Sequence, residues 1–224
     1  VTGPLLVADA PALLYRAFFA LPDSITDDED RPVNALLGSV NQTLWVVERY
    51  RPRAVVMCFG QESADYRVEA FPAYHADRPP MPDALQTQWS RAPDLYRALG
   101  WIVSTSPELE ADDLLGSLAD VEVEAGGRAL LFTGDRDMFQ CVSDDVLVLF
   151  PGGRGKGEPE VIGPREVRRR YGIPPELVPD FIALRGDPSD GLPGARGIGE
   201  KTARELLQEF GTLDALLATA ADRP

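Results

Sequence analysis

Histidine is nearly absent: of 224 residues, only His75 carries an imidazole. That excludes His-rich zinc sites and leaves little room for a histidine-based triad, so any catalysis falls to carboxylates. Lysine is almost as scarce. Lys156 and Lys201 are the two lysines among 22 basic residues, and the rest are arginine. The two cysteines, Cys58 and Cys141, lie in or beside apolar stretches, which argues for buried thiols rather than a disulfide framework. No apolar run is long enough to span a bilayer and no basic-then-apolar leader is present, so the expected location is the cytoplasm. Positive charge is in deficit, with 36 acidic residues against 22 basic and a net charge of −14. Alone, that disfavours a nucleic-acid partner, because phosphate binding needs Lys and Arg. A carboxylate cluster that binds divalent cations, however, makes a chain more acidic in composition than its site is in use.

What is present is an alternation of apolar runs and helical patterns. "PLLVADA", "RAVVMCF", "WIVST", "RALLFTGD" and "VLVLF" read as strands, continuous in hydrophobicity rather than alternating. "PALLYRAFFAL", "VNALLGSVNQTLWVVERY", the segment resuming near Asp83, and "SPELEADDLLGSLADVEVEA" read as helices. "DSITDDEDRP" breaks the pattern as a solvated acidic loop. The order implies an α/β fold, a mostly parallel central sheet with helices on both faces, over residues 1–162. From about Gly163 the character changes to helix, tight turn, helix, which predicts a helical subdomain over 163–224 centred on "GIGEKTARELL".

The acids fall where such a sheet binds ligands. Asp9 ends the first strand. Glu110, Asp112 and Asp113 open a helix after "WIVST", and Asp135 and Asp137 follow "LLFTG". Crevices at the carboxyl ends of parallel strands are the ligand sites of open α/β sheets. Each motif has a plainer reading. "EADD" could be helix capping, "TGDRD" an ordinary turn, and "GDPSD" (Gly186 to Asp190) an Asx-turn. Four acidic clusters together, three at strand ends and one at the head of the helical part, favour a site for hard divalent cations, Mg²⁺ or Mn²⁺. Two such ions can activate a water and stabilise the leaving oxygen of a phosphodiester. In "LPGARGIGEKTARELLQEFG", Gly197 and Gly199 permit close backbone approach. The helix starting near Glu200 offers free N–H groups to a phosphate, and Lys201 adds charge. A plain αα-hairpin is the alternative.

Together these motifs resemble one family, the 5′-nucleases: the 5′–3′ exonuclease domain of bacterial DNA polymerase I and the flap endonucleases. "LLVADAPALLYRAFFALP", "YHADRPPMPDAL", "LEADDLLGSLA", "FTGDRDMFQ" and "PDFIALRGDPSDGLPGARGIGEKTA" match it in order and spacing, from about Leu5 to about Leu217. The resemblance implies a metal-dependent 5′–3′ exonuclease or flap endonuclease acting on DNA in replication and repair, with a PIN-like core and a C-terminal helix-three-turn-helix. It implies that Asp9, Glu110, Asp112, Asp113, Asp135, Asp137, Asp187 and Asp190 bind two or more Mg²⁺ or Mn²⁺ ions. Arg16 and Arg67 would steer the scissile phosphate. An arch or clamp near 71–95, with Arg78 to Trp89 at its centre, would lie over the single-stranded 5′ end. Arg78, Gly197, Gly199, Lys201 and Thr202 would contact DNA, a K⁺ would sit at the hairpin carbonyls, and the chain would act as a monomer on DNA with a 5′ flap or 5′ end.

The chain departs from that pattern in one stretch. The family has aspartate where Gly60 stands, lysine where Glu62 stands, and a basic residue followed by asparagine where His75 and Asp77 lie. The expectation is a water-filled gap beside Gly60 at the metal site, so that Gly60→Asp tightens divalent-metal dependence. Two other readings stay open. One is a DNA-binding relative with impaired catalysis, motivated by Gly60 and Glu62. The other is a carboxylate-metal phosphatase on a doubly wound sheet.

Overall fold

The computed structural model describes residues 3–152 and 158–221. Six strands form one sheet: β1 (Leu5–Asp9), β2 (Ala54–Phe59), β3 (Ile102–Thr105), β4 (Ala129–Phe132), β5 (Val146–Phe150) and β6 (Glu160–Ile162). Their spatial order is β3-β2-β1-β4-β5-β6, parallel throughout except for the β5–β6 pair. The chain runs outward from β1 through β2 to β3, then returns to the other side of β1 for β4. The switch point therefore lies between the carboxyl ends of β1 and β4, where open sheets hold their ligands. β6, only three residues long and two of them exposed, carries no apolar run and was not expected from the sequence. The glycine-rich turn read at 151–157 falls mostly outside the described residues.

Because successive strand residues point to opposite faces, β1 and β4 supply two cores at once. Leu5, Val7, Ala129 and Leu131 face one cluster, while Leu6, Ala8, Leu130 and Phe132 face the other. The second face is covered by α1 (Ala10–Ala20), α2 (Asn34–Tyr50) and α4 (Asp83–Ala98). Gly38 lets α1 and α2 close on each other, since a Cβ there would stand 2.5 Å from the Ala17 Cβ. The first face is covered by α5 (Ala111–Glu124) and by the helical part, α6 (Pro164–Tyr171), α7 (Val178–Arg185) and α8 (Glu200–Phe210), followed by α9 (Leu213–Ala221). Val167, Tyr171, Phe181, Leu184 and Leu207 share the cluster of Val7 and Leu131, so the helical part has no separate core. Cys58 is buried and Cys141 half-buried, both free thiols.

The segment expected to arch over the cleft divides in two. Residues 71–82 are turns and loop, preceded by the short α3 (Asp65–Ala70). Residues 83–98 form α4, and its Leu85, Ala92 and Tyr96 are fully buried in the core. Gln88, also fully buried, explains why α4 stays there. Its Oε1 accepts from the Ala35 (2.8 Å) and Leu36 (3.3 Å) N–H groups at the start of α2, which has no cap of its own. Its Nε2 donates to Asn34 Oδ1 (3.0 Å). Gln88→Leu fills the same space but leaves those groups unpaired. The variant should lose about 2–4 kcal/mol of unfolding free energy, read by urea denaturation. A loss below about 1 kcal/mol would show that the cap is dispensable.

Candidate active site

The carboxyl ends of β1 and β4 open into a cleft lined by Asp9, Glu62, Glu110, Asp112, Asp135, Asp137 and Asp190, together with Arg67, His75 and Arg78. Asp9 ends β1 and caps α1: the Ala12 N–H donates to its Oδ1 (2.9 Å), and Pro11 suits the first helical turn. Its Oδ2 accepts from Thr133 Oγ1 (2.7 Å) at the end of β4. Thr133 Oγ1 in turn accepts the Asp135 N–H (3.0 Å), and Asp135 Oδ1 accepts the Asp137 N–H (2.9 Å). One relay of short bonds thus links the acids of two adjacent strands.

These acids are poorly compensated. Burial, followed by repulsion from Asp135, pushes the Asp9 carboxyl up to about 6 against the opposing hydrogen bonds of Ala12 and Thr133. Asp112 is raised well above the carboxylate range by burial and by Asp9, Asp135 and Glu110. Burial also raises Asp135, with Asp190 and Asp187 adding to it, and pushes Asp137 to about 7, with Asp135 next in effect. Asp112 accepts no hydrogen bond among the described residues. Like charges crowded at a half-buried site, with Arg67 held by Glu110 and Asp113, call for a counter-charge. The donors are all oxygens, which suits a hard divalent cation. Among the described residues no three His, Cys, Asp or Glu side chains close around one point.

Glu110 and Asp113 differ from these four. They form a capping box at the start of α5. Glu110 accepts from the Ala64 N–H (2.7 Å), Arg67 (3.0 Å) and Tyr74 Oη (2.9 Å). Asp113 accepts from Arg67 (2.7 Å), Tyr66 and the Glu110 N–H (3.0 Å), and it does not line the cleft. Capping and cleft acids thus coexist in "EADD". Arg67 is held by two carboxylates and two phenols. Asp187 also lies off the cleft wall and organises its own turn, accepting from the Ser189 N–H (2.9 Å) and Arg185 (3.3 Å). Arg16 points away: its guanidinium donates to the Gly152 carbonyl, tying α1 to the segment after β5. Arg78 reaches Asp190 Oδ1 (3.3 Å) and is half-exposed. Gly197 (φ 81°), Gly199, Lys201 and Thr202 are all exposed at the hairpin before α8. Open space surrounds both glycines, and Lys201 makes a long pair with Glu205 (3.8 Å).

The gap expected at Gly60 does not exist. A Cβ there would stand 2.4 Å from the Glu110 carbonyl carbon, 2.4 Å from Leu109 O and 2.5 Å from Ala111 N. The backbone entering α5 lies directly against Gly60, fastened by the Gln61 N–H to Leu109 O (2.9 Å). Glycine is present because the chain passes there. Glu62 lies farther out on the cleft wall, where Tyr15 Oη donates to it (3.2 Å). Sequence reasoning missed Thr133, Tyr74 and the buried environment of His75. The threonine of "FTGDRD" and the tyrosine of "YHADR" lie inside quoted motifs, but only the fold shows what they touch.

Sheet, acidic cleft and helical hairpin define a carboxylate-walled α/β nuclease. Residues 4–172 match the family model described as 5′–3′ exonuclease, N-terminal resolvase-like domain. Residues 173–224 match that of 5′–3′ exonuclease, C-terminal SAM fold. The chain belongs to the 5′–3′ exonuclease family. It is 38% identical to a 5′–3′ exonuclease of Mycobacterium tuberculosis, over 99% of this chain and 75% of that protein. It is 40% identical to the thermostable DNA polymerase I of Thermus thermophilus, covering 96% of this chain but only 25% of that one. In fold it resembles the bacteriophage T5 D15 flap endonuclease solved with DNA and metal ions, with a TM-score of 0.76, 19% identity and coverage of 96% and 78%. The T5 5′-exonuclease with bound zinc gives a TM-score of 0.76 at 18% identity, with the same coverage. No helix among the described residues is long and apolar enough to cross a membrane.

Proposed function

We propose that this chain is a structure-specific 5′–3′ exonuclease and flap endonuclease that hydrolyses DNA phosphodiesters with Mg²⁺ or Mn²⁺, in the cytoplasm and as a monomer, during replication and repair. The observation that carries this reading is that Asp9, Asp112, Asp135 and Asp137 line one cleft, Asp9 buried and the others half-buried, with carboxyls raised by burial and by neighbouring acids. Bound divalent cations would supply Lewis acidity to the attacking water and the leaving oxygen. Those four acids, with Asp190, would hold the cations. Glu110 and Asp113 would fix Arg67, and Arg67 and Arg78 would orient the scissile phosphate. Asp187 would shape the turn that carries Asp190. Tyr15 and Trp89, edge-to-face at 6.2 Å on the cleft wall, suit stacking with an unpaired base.

At the hairpin, the first N–H groups of α8 and Lys201 would take duplex phosphates without regard to sequence, and hairpin carbonyls would take a K⁺. The test is cleavage of a 5′-flapped duplex with Mg²⁺ and Mn²⁺ titrated separately. Cutting with either ion and none in chelator is expected. Retained DNA binding with no cleavage at any metal concentration would sink the proposal in favour of a non-catalytic relative.

A further inference from the structure

His75 stands where the resemblance implies a basic residue, yet its side chain is only 4% exposed. Every polar atom of its ring is engaged. Nδ1 lies 2.8 Å from Ser63 Oγ, a hydroxyl that can donate to it, and 3.0 Å from the Glu62 carbonyl. Nε2 lies 3.0 Å from Asp190 Oδ1. The ring stacks on Tyr74 at 3.7 Å, and Tyr74 itself holds Glu110. The backbone is engaged as well. The His75 N–H donates to the Asp190 carbonyl (3.3 Å), and the residue adopts a left-handed φ of 55°, uncommon for a side chain other than glycine. Across the contact, Gly191 also has a positive φ, and a Cβ there would stand 2.6 Å from Ala73 O. The strap of residues 71–78 and the turn 186–192 are therefore fitted backbone to backbone, with His75 and Asp190 as the side-chain bond between them.

The consequence lies in how Asp190 is held. Both His75 and Arg78 engage Oδ1, whereas Oδ2 takes no hydrogen bond among the described residues, and Asp190 lines the cleft. Of the two partners, His75 is nearer and buried, and Arg78 is half-exposed. We propose that His75 is a positioning residue, anchoring Asp190 by one carboxylate oxygen so that the other is presented to a cation in the cleft. The inference rests on the proposed role of Asp190 as a ligand. It gives His75 a function distinct from phosphate contact: it acts through another residue, as outer partners of metal ligands do.

The test is a double-mutant cycle on Mn²⁺ affinity, measured by calorimetry on the full chain without DNA, with thermal melts confirming that each variant is folded. His75→Ala should weaken the affected Mn²⁺ site by about 10- to 100-fold. In an Asp190→Asn background the same substitution should change affinity by less than about 3-fold, because the group it positions is already gone. His75→Gln, which can place an amide donor near the position of Nε2, should recover affinity to within about 3-fold of wild type, judged on the same independence scale. Four results would overturn the proposal: unchanged affinity in His75→Ala, losses that multiply in the double variant, a His75→Gln no better than His75→Ala, or tighter binding in His75→Ala, which would mean that the contact competes with the cation. Failure of the nuclease reading shows separately, as a wild-type chain that binds no Mn²⁺ or that binds it without cutting a flap. The first of these also ends the role given to His75.

Discussion

Asp135→Asn should lower kcat on a 5′-flapped duplex by about 10³-fold or more, as expected when several kcal/mol of charge stabilisation is removed from the reacting centre. The substitution is nearly isosteric. An amide oxygen can still accept the Asp137 N–H that Asp135 Oδ1 accepts, and the backbone bond to Thr133 Oγ1 is untouched. What disappears is one negative charge among Asp9, Asp112 and Asp137. Loss of that charge removes a repulsion the metal-free fold must bear, since Asp135 raises the carboxyls of Asp9, Asp112 and Asp137. The metal-free variant should therefore melt no lower than wild type, while the rise in melting temperature on adding Mn²⁺ shrinks, because that rise measures binding to the folded state. An inactive enzyme, as stable as its parent and less responsive to metal, is the signature of a cation site built on charge. A variant that loses activity by unfolding, or that keeps wild-type kcat, would remove Asp135 from the centre.

The central strands could be read directly because β1 and β4 are buried on both faces, so their sequences are unbroken apolar runs. An aspartate at the end of such a run is visible for the same reason, which is how Asp9, Asp135 and Asp137 stand out. The hairpin was equally plain, since glycines at 197 and 199 precede a helix that begins at Glu200. Legibility ends where the partner lies far along the chain. Glu110 resembles Asp112 in sequence, yet it is satisfied by Tyr74, Arg67 and Ala64, which are 36, 43 and 46 positions away. Arg16 looks like a cleft residue from its place nearly two helical turns after Asp9, but its guanidinium is taken by the Gly152 carbonyl, 136 positions distant. Within the segment expected to arch over the cleft, near 71–95, what the sequence hides is the anchoring of α4. Gln88 reads as an ordinary polar helix position until α2, which has no cap of its own, is placed beside it.

Gly60 is the sharpest instance, and it sets the second large effect. A missing carboxylate at a strand end suggests a vacancy in the metal site, which restoring aspartate would repair. The geometry predicts the reverse. A Cβ on Gly60 would meet backbone atoms of Leu109, Glu110 and Ala111 at distances that real Cβ atoms essentially never show, and that backbone cannot swing aside freely. It is bonded to Gln61 through Leu109 O, and the Glu110 side chain is bonded to the Ala64 N–H on the same loop. Moving it would also shift Asp112, two residues on, out of register with Asp9. Gly60→Asp should cost about 3 kcal/mol or more, at or above the upper end for overpacking, because backbone rather than a flexible side chain must yield. For a chain of this size that is a fall in melting temperature of roughly 6–12 °C. Gly60→Ala should lose most of the same stability, since the first carbon makes the clash, and neither variant should need less Mn²⁺ than wild type. A Gly60→Asp protein that melts normally and saturates at lower Mn²⁺ would show that the 109–111 backbone yields and that position 60 belongs to the metal site after all. If both variants are destabilised alike, the departure from the family is a packing solution, in which the entry to α5 occupies the space the aspartate would take.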